Sequence, residues 1–209
     1  MLVLIAVHTL VAAVLPALAS RIGRAVWAVA ALVPLAAFGW AVALTPATLR
    51  GGSTVERFDW APTLGLEVVL RLDALSLLMV FVISGVGVAV LTFAARYTEH
   101  GHGRESALLL AFAGVMLGLV TADNLLILYV FWELTTVVSF LLIAGRGRTR
   151  EHRAAAEQAL VVTTGGGLAM LLGFILLGES AGTYRISELV ADPPQGGYVP
   201  VALVLVLVG

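Results

Sequence analysis

The sequence LLILYVFWELTTVVSFLLI, residues 125–143, decides the fold class. It is nineteen residues long and apolar almost throughout, and a helix that crosses the hydrocarbon core of a bilayer needs about 20 such residues. One acidic residue, Glu133, lies at its centre. The stretch therefore predicts a transmembrane helix with a carboxyl group at mid-bilayer, and the purpose of that carboxyl group is the main functional question.

The composition of the whole chain is typical of a polytopic membrane protein. The 209 residues have a mean hydropathy of +1.04 and are 60% hydrophobic. The charged fraction is 12%, about half the value of soluble domains. The net charge of −1 gives no indication of nucleic-acid binding, and no nucleic-acid partner is expected.

Metal and cofactor sites are not predicted. The chain has no cysteine, which excludes disulfides and thiol-bound metals. It has no glycine-rich phosphate loop and no HExxH motif. His100, His102 and His152 lie in predicted loops without the spacing of metal ligands.

The apolar runs predict an all-α polytopic membrane protein with six complete transmembrane helices, at 2–19, 26–46, 74–95, 106–122, 124–143 and 155–177. Residues 198–209 form the incomplete start of a seventh, because twelve helical residues reach about 18 Å and the hydrocarbon core is about 30 Å thick. The favoured interpretation is the front part of a longer protein; a short re-entrant or surface segment is the alternative.

The segment between the second and third helices differs from the rest. GGSTVERFDWAPTLGLEVVLRLD, residues 51–73, shows partial alternation of apolar and polar residues on either side of APTLG. This pattern predicts a β-hairpin. Asp73 then directly precedes the third helix, where an aspartate caps a helix N-terminus well.

The arginines predict the orientation. With the N-terminus outside, the inner loops hold eight arginines and the outer segments four, and there is no lysine. An excess of basic residues marks the cytoplasmic side. The inner arginines are Arg21, Arg24, Arg96, Arg104, Arg146, Arg148, Arg150 and Arg153, and the outer ones are Arg50, Arg57, Arg71 and Arg185.

Glu133 is the first candidate for a functional residue. A charged side chain at mid-bilayer costs at least about 2.5 kcal/mol, so such residues usually face a bundle interior or a water pocket and serve transport. Tyr129 and Thr136 lie on the same helical face, at i−4 and i+3, and offer hydroxyls to the carboxylate or to water. The structural alternative is a polar residue that only joins helices.

Other polar residues are weaker candidates. Glu157, near the inner end of the sixth helix, is either a proton entry group or, as favoured here, an interfacial carboxylate beside arginines. His8 is interpreted as a satisfied interfacial histidine and Asp123 as a helix cap. The glycines 165–167 either allow close helix packing or bend the sixth helix.

Four stretches carry a resemblance to a known family. YVFWELTTVVSFLLI (129–143) is followed by an arginine-rich loop and ALVVTTGGGLAMLLGF (159–174), and WAPTLGL (60–66) is followed by RLDALSLLMVF (71–81). Together they resemble the antiporter-like subunits shared by Mrp-type Na⁺/H⁺ antiporters and respiratory complex I. The similarity is greatest to the A-type subunits of Mrp antiporters, and residues 1–209 correspond to the N-terminal part of their transmembrane domain.

The resemblance implies a role for Glu133. In the family, the glutamate of the FWE motif belongs to the proton path, and its lysine partner lies in a seventh helix that this chain does not reach. Complex I relatives tend to carry an extra acid where this chain has Thr163 to Gly167, which favours the Mrp type. The implied partners are other subunits of a hetero-oligomeric antiporter, the lipid bilayer, Na⁺ and H⁺, in a bacterial cell membrane.

Three functions remain open from the sequence. The first is the A-type component of a cation/proton antiporter, an ion transporter and not an enzyme. The second is a proton-pumping subunit of an NADH–quinone or hydrogenase-type complex, which by itself binds no flavin, haem or iron–sulfur cluster. The third is a structural membrane module without transport.

Overall fold

The computed structural model describes residues 1–61, 66–98, 102–146 and 150–209, without the side chains of 59–61, 66, 145, 146 and 150–153. The helices are α1 (Leu2–Ile22), α2 (Val26–Leu49), α3 (Ala74–Tyr97), α4 (His102–Thr121), α5 (Leu125–Arg146), α6 (Arg150–Ala181), α7 (Ile186–Ala191) and α8 (Val199–Val208). The strands are β1 (Thr54–Ala61) and β2 (Leu66–Leu72). The predicted helical fold with one hairpin is confirmed. The tip of the predicted hairpin at 62–65, His100 and Arg148 lie outside the described residues.

The predicted count of six complete spans is not reproduced. In the described part of the chain, five helical stretches are long and apolar enough to cross a bilayer. The reason is that a 3₁₀ turn at Gly23–Ala25 joins α1 to α2 without a break, so that Leu2–Leu49 is one stretch. The two helices still pack against each other. Gly23 has φ +56° at the end of α1, a backbone conformation that favours glycine.

The outward faces of these helices are apolar. On α1, Val3, Val7, Leu10 and Val14 are all exposed, and their spacing of three or four residues places them on one face of the helix. Contiguous apolar surface of this kind is rare on soluble monomers and marks a contact with membrane or protein. The exposed side chains therefore agree with a multi-pass membrane protein.

Residues Met1–Val55 and Arg71–Thr121 form one compact unit that contains α1 to α4. Its core includes Leu15 of α1, Trp27 of α2, Leu91 of α3 and Leu110 of α4. The indole N–H of Trp27 is buried and donates a hydrogen bond to Nδ1 of His102 at 3.2 Å. This bond joins the start of α2 to the start of α4.

Asp73 caps α3, as the sequence predicted. Its Oδ1 accepts hydrogen bonds from the backbone N–H of Ser76 at 2.9 Å and from the Ser76 hydroxyl at 3.1 Å. Partial burial alone raises the pKa of the Asp73 carboxyl, but the Ser76 bonds, the Arg71 charge and the Leu75 N–H together hold the pKa below its usual value. The cap is therefore ionised at neutral pH.

Residues Glu56–Leu70 and Ala122–Gly209 form a second compact unit, which contains α5 to α8. Here α6 packs against both α5 and α8. The core is built on Leu125, Met170 and Phe174, with Tyr129 and Trp132 packed against it. The face of α5 that enters this core is therefore the face that carries Tyr129 and Trp132, directly beside Glu133.

Candidate functional site

Glu133 lies in the first half of α5, nine residues into the helix from its start at Leu125. The residue is partly buried. Its Oε1 atom is fully buried, and no described side chain or backbone group donates a hydrogen bond to it. A buried polar oxygen without a donor is costly. Such a group has the capacity to accept a proton or to bind a small polar species.

Tyr129 and Thr136 lie one turn before and one turn after Glu133. The Tyr129 hydroxyl forms a hydrogen bond with the Glu133 carboxylate, and the two groups also interact electrostatically. Thr136 is 9% exposed and lines a cavity between α5 and α6. The two hydroxyl residues therefore have different surroundings, one at the carboxylate and one in the cavity.

Gly167 of α6 lies opposite Glu133. A Cβ atom at position 167 would overlap Oε1 of Glu133, and it would lie 3.4 Å from the Glu133 Cδ and 3.7 Å from Cε2 of Tyr129. The neighbouring glycines have other surroundings: Gly166 faces the backbone of Gly209, and nothing lies within 4 Å of a Cβ at Gly165. Of the two alternatives for this glycine run, close packing is the one observed at 166 and 167.

A cavity of about 310 Å³ adjoins this site between α5 and α6. Hydroxyl side chains of Thr135, Thr136, Ser139 and Thr163 line it, together with Trp132. The Thr135 and Thr163 hydroxyls donate hydrogen bonds to helix carbonyls, which leaves their oxygen lone pairs free to accept. The cavity therefore offers acceptors to water or to a cation within an otherwise apolar helix pair.

Glu157 is exposed on the first part of α6. The arginines expected beside it, Arg150 and Arg153, have side chains outside the described residues. Glu157 precedes Gly167 by ten residues, about 15 Å along α6, and it does not line the cavity. The structure thus brings Glu133, Tyr129 and Gly167 together and leaves Glu157 apart.

His8 differs from its prediction as a satisfied interfacial residue. It is 0% exposed, its Nδ1 lies 2.7 Å from the Leu4 carbonyl oxygen, and its Nε2 has no hydrogen-bond partner among the described residues. The ring is buried because Gly114 of α4 lets the helices approach: a Cβ at position 114 would lie 2.6 Å from the His8 Cβ. The sequence does not indicate this contact, because His8 and Gly114 lie far apart along the chain.

The turn before α5 holds two caps. Oδ1 of Asn124 accepts from the N–H of Leu126 at 2.9 Å and caps α5. Asp123, which the sequence indicated as a cap, serves α7: its Oδ1 accepts from the Ser187 N–H at 2.8 Å and its Oδ2 from the Ser187 hydroxyl at 2.7 Å. Asp123 and Asn124 are each only 6% exposed.

Arg185, at the start of α7, links this turn to the hairpin. Its guanidinium contacts Glu67 of β2 at 3.2 Å and Glu188 at 3.1 Å. A hydrogen bond from the Thr183 hydroxyl, aided by Arg185, holds the pKa of Glu188 below its usual value against the smaller opposing effect of desolvation. The sequence alone does not indicate the contacts of Ser187 and Arg185, because their partners lie 64 and 118 positions away along the chain.

No group of three or more histidine, cysteine, aspartate or glutamate side chains is arranged to hold a metal ion within the described ranges. Within the described residues, the α5–α6 site offers one carboxyl group and several hydroxyls.

Two protein families match parts of this chain. Residues 122–208 match the family described as NADH:quinone oxidoreductase/Mrp antiporter, TM. Residues 60–106 match the family described as NADH-Ubiquinone oxidoreductase (complex I), chain 5 N-terminus. The first match includes α5, α6 and Glu133. Over these two ranges the chain is similar to the antiporter-like subunits of Mrp antiporters and complex I.

Individual relatives of this antiporter-like chain agree. It is 40% identical over 188 residues to the A/B subunit of a probable K⁺/H⁺ antiporter of Rhizobium meliloti, covering 86% of this chain and 18% of the relative. It is 35% identical over 182 residues to the A1 subunit of the Na⁺/H⁺ antiporter of Staphylococcus haemolyticus, covering 85% of this chain and 23% of the relative. The chain thus spans about a fifth of the length of these relatives.

Solved structures share the fold. The Mrp complex from Dietzia sp. DQ12-45-1b matches with a TM-score of 0.86 and 33% identity, over 99% of this antiporter-like chain and 23% of that chain. Respiratory complex I from Thermus thermophilus matches with a TM-score of 0.76 and 24% identity, over 97% of this chain and 43% of that chain. The second likeness concerns the fold alone.

Proposed function

We propose that this chain is part of the A-type subunit of a multi-subunit monovalent cation/proton antiporter. The observation that carries the proposal is Glu133, a mid-helix carboxyl group whose buried Oε1 lies against Gly167 beside a cavity lined by hydroxyls. Na⁺ is the proposed coupling ion, as named for the Staphylococcus relative, and K⁺ is the ion named for the Rhizobium relative.

Glu133 acts as the proton carrier in this proposal. The buried carboxylate is costly in its charged form, and protonation removes that cost. A nearby cation restores the charged form, so the approach of a positive charge releases the proton. Tyr129 supports the carboxylate directly, and Thr136 supports it from the cavity. Glu157 is exposed near the inner end of α6, so its role is limited to the delivery of protons from the membrane interface.

The proposed setting is a bacterial cell membrane. Residues 1–209 form part of one antiporter-like transmembrane domain with six spans and the start of a seventh, in which α1 and α2 count as two spans. The N-terminus lies outside, and 96–104 and 145–153 face the cytoplasm, as the arginine distribution favours. The partners are the other subunits of the antiporter and the lipid around the apolar helix faces.

A proton-pumping subunit of an NADH–quinone or hydrogenase-type complex is the second candidate. The descriptions of the two matching families name NADH:quinone oxidoreductase or complex I as well as the Mrp antiporter, and this observation supports the second candidate. The two functions differ in the energy source. Antiport in vesicles follows an imposed Na⁺ gradient, whereas a redox-driven pump requires electron transfer elsewhere in its complex.

The test is Glu133→Gln in the intact complex. Glutamine keeps the volume and much of the hydrogen bonding but carries no proton, so we expect Na⁺-driven proton movement to fall to the background of vesicles without the complex. Everted vesicles with a fluorescent dye for the pH gradient measure this. Glu133→Asp should keep part of the activity. Wild-type movement in the Gln variant, at equal amounts of complex, would make the carboxylate structural and refute the proposal.

A further inference from the structure

Gly167 determines where the Glu133 carboxylate can lie. The three atoms nearest to a Cβ built at Gly167 are Oε1 and Cδ of Glu133 and Cε2 of Tyr129. Gly167 itself is buried between the helices. From this geometry we infer that Gly167 is a positioning residue for proton transfer: the side chain that it lacks leaves the space that Oε1 occupies. The inference rests on the proposed role of Glu133.

Other glycines of α6 meet different atoms. A Cβ at Gly173 would lie 2.7 Å from the carbonyl oxygen of Ala202 and 3.0 Å from the backbone nitrogen of Val206 in α8. A Cβ at Gly165 would have nothing within 4 Å. Backbone atoms in α8 cannot move aside without moving the helix, whereas Oε1 is the end of a flexible side chain. A methyl group at 167 therefore displaces the carboxylate and leaves the helix packing in place.

The displacement is large enough to affect proton transfer. An ordinary contact of a methyl carbon is about 3.5–4.0 Å, so Oε1 has to move by roughly 1 Å or more to make room. Proton transfer requires heavy atoms within about 2.6–3.2 Å of each other. Misplacement of a reacting group by about 1 Å can lower a rate by about a hundredfold. The displacement would also move Oε1 out of its present buried position, where none of the described residues donates a hydrogen bond to it.

The first experiment compares Gly167→Ala with Gly165→Ala in the intact complex. We expect Gly167→Ala to lower Na⁺-driven proton movement at least about tenfold, with the amount of assembled complex unchanged. Gly165→Ala adds the same methyl group two residues away in open space and should stay within about twofold of wild type.

The second experiment restores the space. Aspartate is shorter than glutamate by one methylene, so Glu133→Asp withdraws the carboxylate from the methyl group at 167. In the Glu133→Asp background, Gly167→Ala should therefore lower activity by less than about twofold, against at least about tenfold in the glutamate background. Such non-additivity is the mark of two side chains in contact, and a general loss of helix packing would not produce it.

The outcomes separate the two proposals. Wild-type antiport in Glu133→Gln refutes the proposed function. If Glu133→Gln is inactive but Gly167→Ala is as active as Gly165→Ala, the function stands and the positioning role is refuted. Loss of assembled complex in Gly167→Ala, or an equal effect of this substitution in both backgrounds, also refutes it, because Gly167 would then serve helix packing alone.

Discussion

Replacement of Asp123 by alanine should release α7 from the turn before α5. The two Asp123 oxygens accept hydrogen bonds from the N–H and the hydroxyl of Ser187 at 2.8 and 2.7 Å. Asp123 is 6% exposed, so solvent screens these bonds little. A hydrogen bond to a charged group contributes about 1.5–3 kcal/mol. Two such bonds at the lower end of that range give about 3 kcal/mol for the attachment of α7.

The size of the expected effect follows from the shortness of α7, which has six residues. An isolated helix of this length is not stable in water, so its amides exchange through local opening. A loss of about 3 kcal/mol favours the open state by roughly 150-fold, since 1.4 kcal/mol corresponds to a factor of ten. Hydrogen exchange of the amides from 187 to 191, measured by mass spectrometry on the intact complex in nanodiscs, should accelerate by about that factor.

Two further variants make the measurement specific. Asp123→Asn keeps an oxygen for the Ser187 N–H but loses the charge, so exchange should accelerate only about tenfold, for a loss near 1.4 kcal/mol. Asp192→Ala removes an exposed carboxylate at the other end of α7 and should change exchange less than about twofold. Wild-type protection of α7 in Asp123→Ala would show that the Ser187 bonds do not hold this helix.

Three other predictions concern α3, the α1–α4 contact and the orientation. Asp73→Ala should cost about 1 kcal/mol of stability at neutral pH. The pKa of Asp73 is lower in the folded state than in the unfolded state. The stabilisation by the cap is therefore complete at pH values above the unfolded pKa of about 3.9 and is lost as the pH falls through the folded pKa. Thermal unfolding at a series of pH values measures the size of the stabilisation and its pH dependence. Gly114→Ala should destabilise by about 1–3 kcal/mol through the His8 overlap, whereas Gly39→Ala, with open space around it, should not lower the unfolding temperature. A single cysteine at position 148 should resist an impermeant thiol reagent applied to intact cells, and labelling from outside would overturn the proposed orientation.

The sequence predicts the existence of the helices better than their ends. Apolar runs located all the long helices, but α6 begins at Arg150 and ends at Ala181, whereas the apolar run predicts 155–177. Hydropathy reports the part of a helix that lies in lipid. The five residues before the predicted run, Arg-Glu-His-Arg-Ala at 150–154, are mostly polar but mostly good helix formers, so the helix extends beyond its apolar part. The Asp73 cap was predictable because a cap is a local feature.

Contacts between distant residues were not predictable. Glu133 and Gly167 are 34 positions apart, and either residue by itself is compatible with many orientations of its helix. The same holds for His8 with Gly114 and for Asp123 with Ser187. In each pair the sequence identifies a polar residue, while the partner is a small residue that gives no signal until the helices are packed.

The rotation of α5 about its axis depends on the turn that precedes it. Asn124 caps this helix, and the Leu125 N–H donates to the Tyr184 carbonyl at 2.9 Å, which fixes where the helix starts. Glu133 follows Asn124 by nine residues, which corresponds to about 13.5 Å and two and a half turns. A shift of the start by one residue would turn the helix by about 100° and would take Glu133 away from Gly167 toward the exposed face of Val130 and Leu134. The position of the proposed proton carrier therefore depends on the turn before α5 as well as on the space beside Gly167.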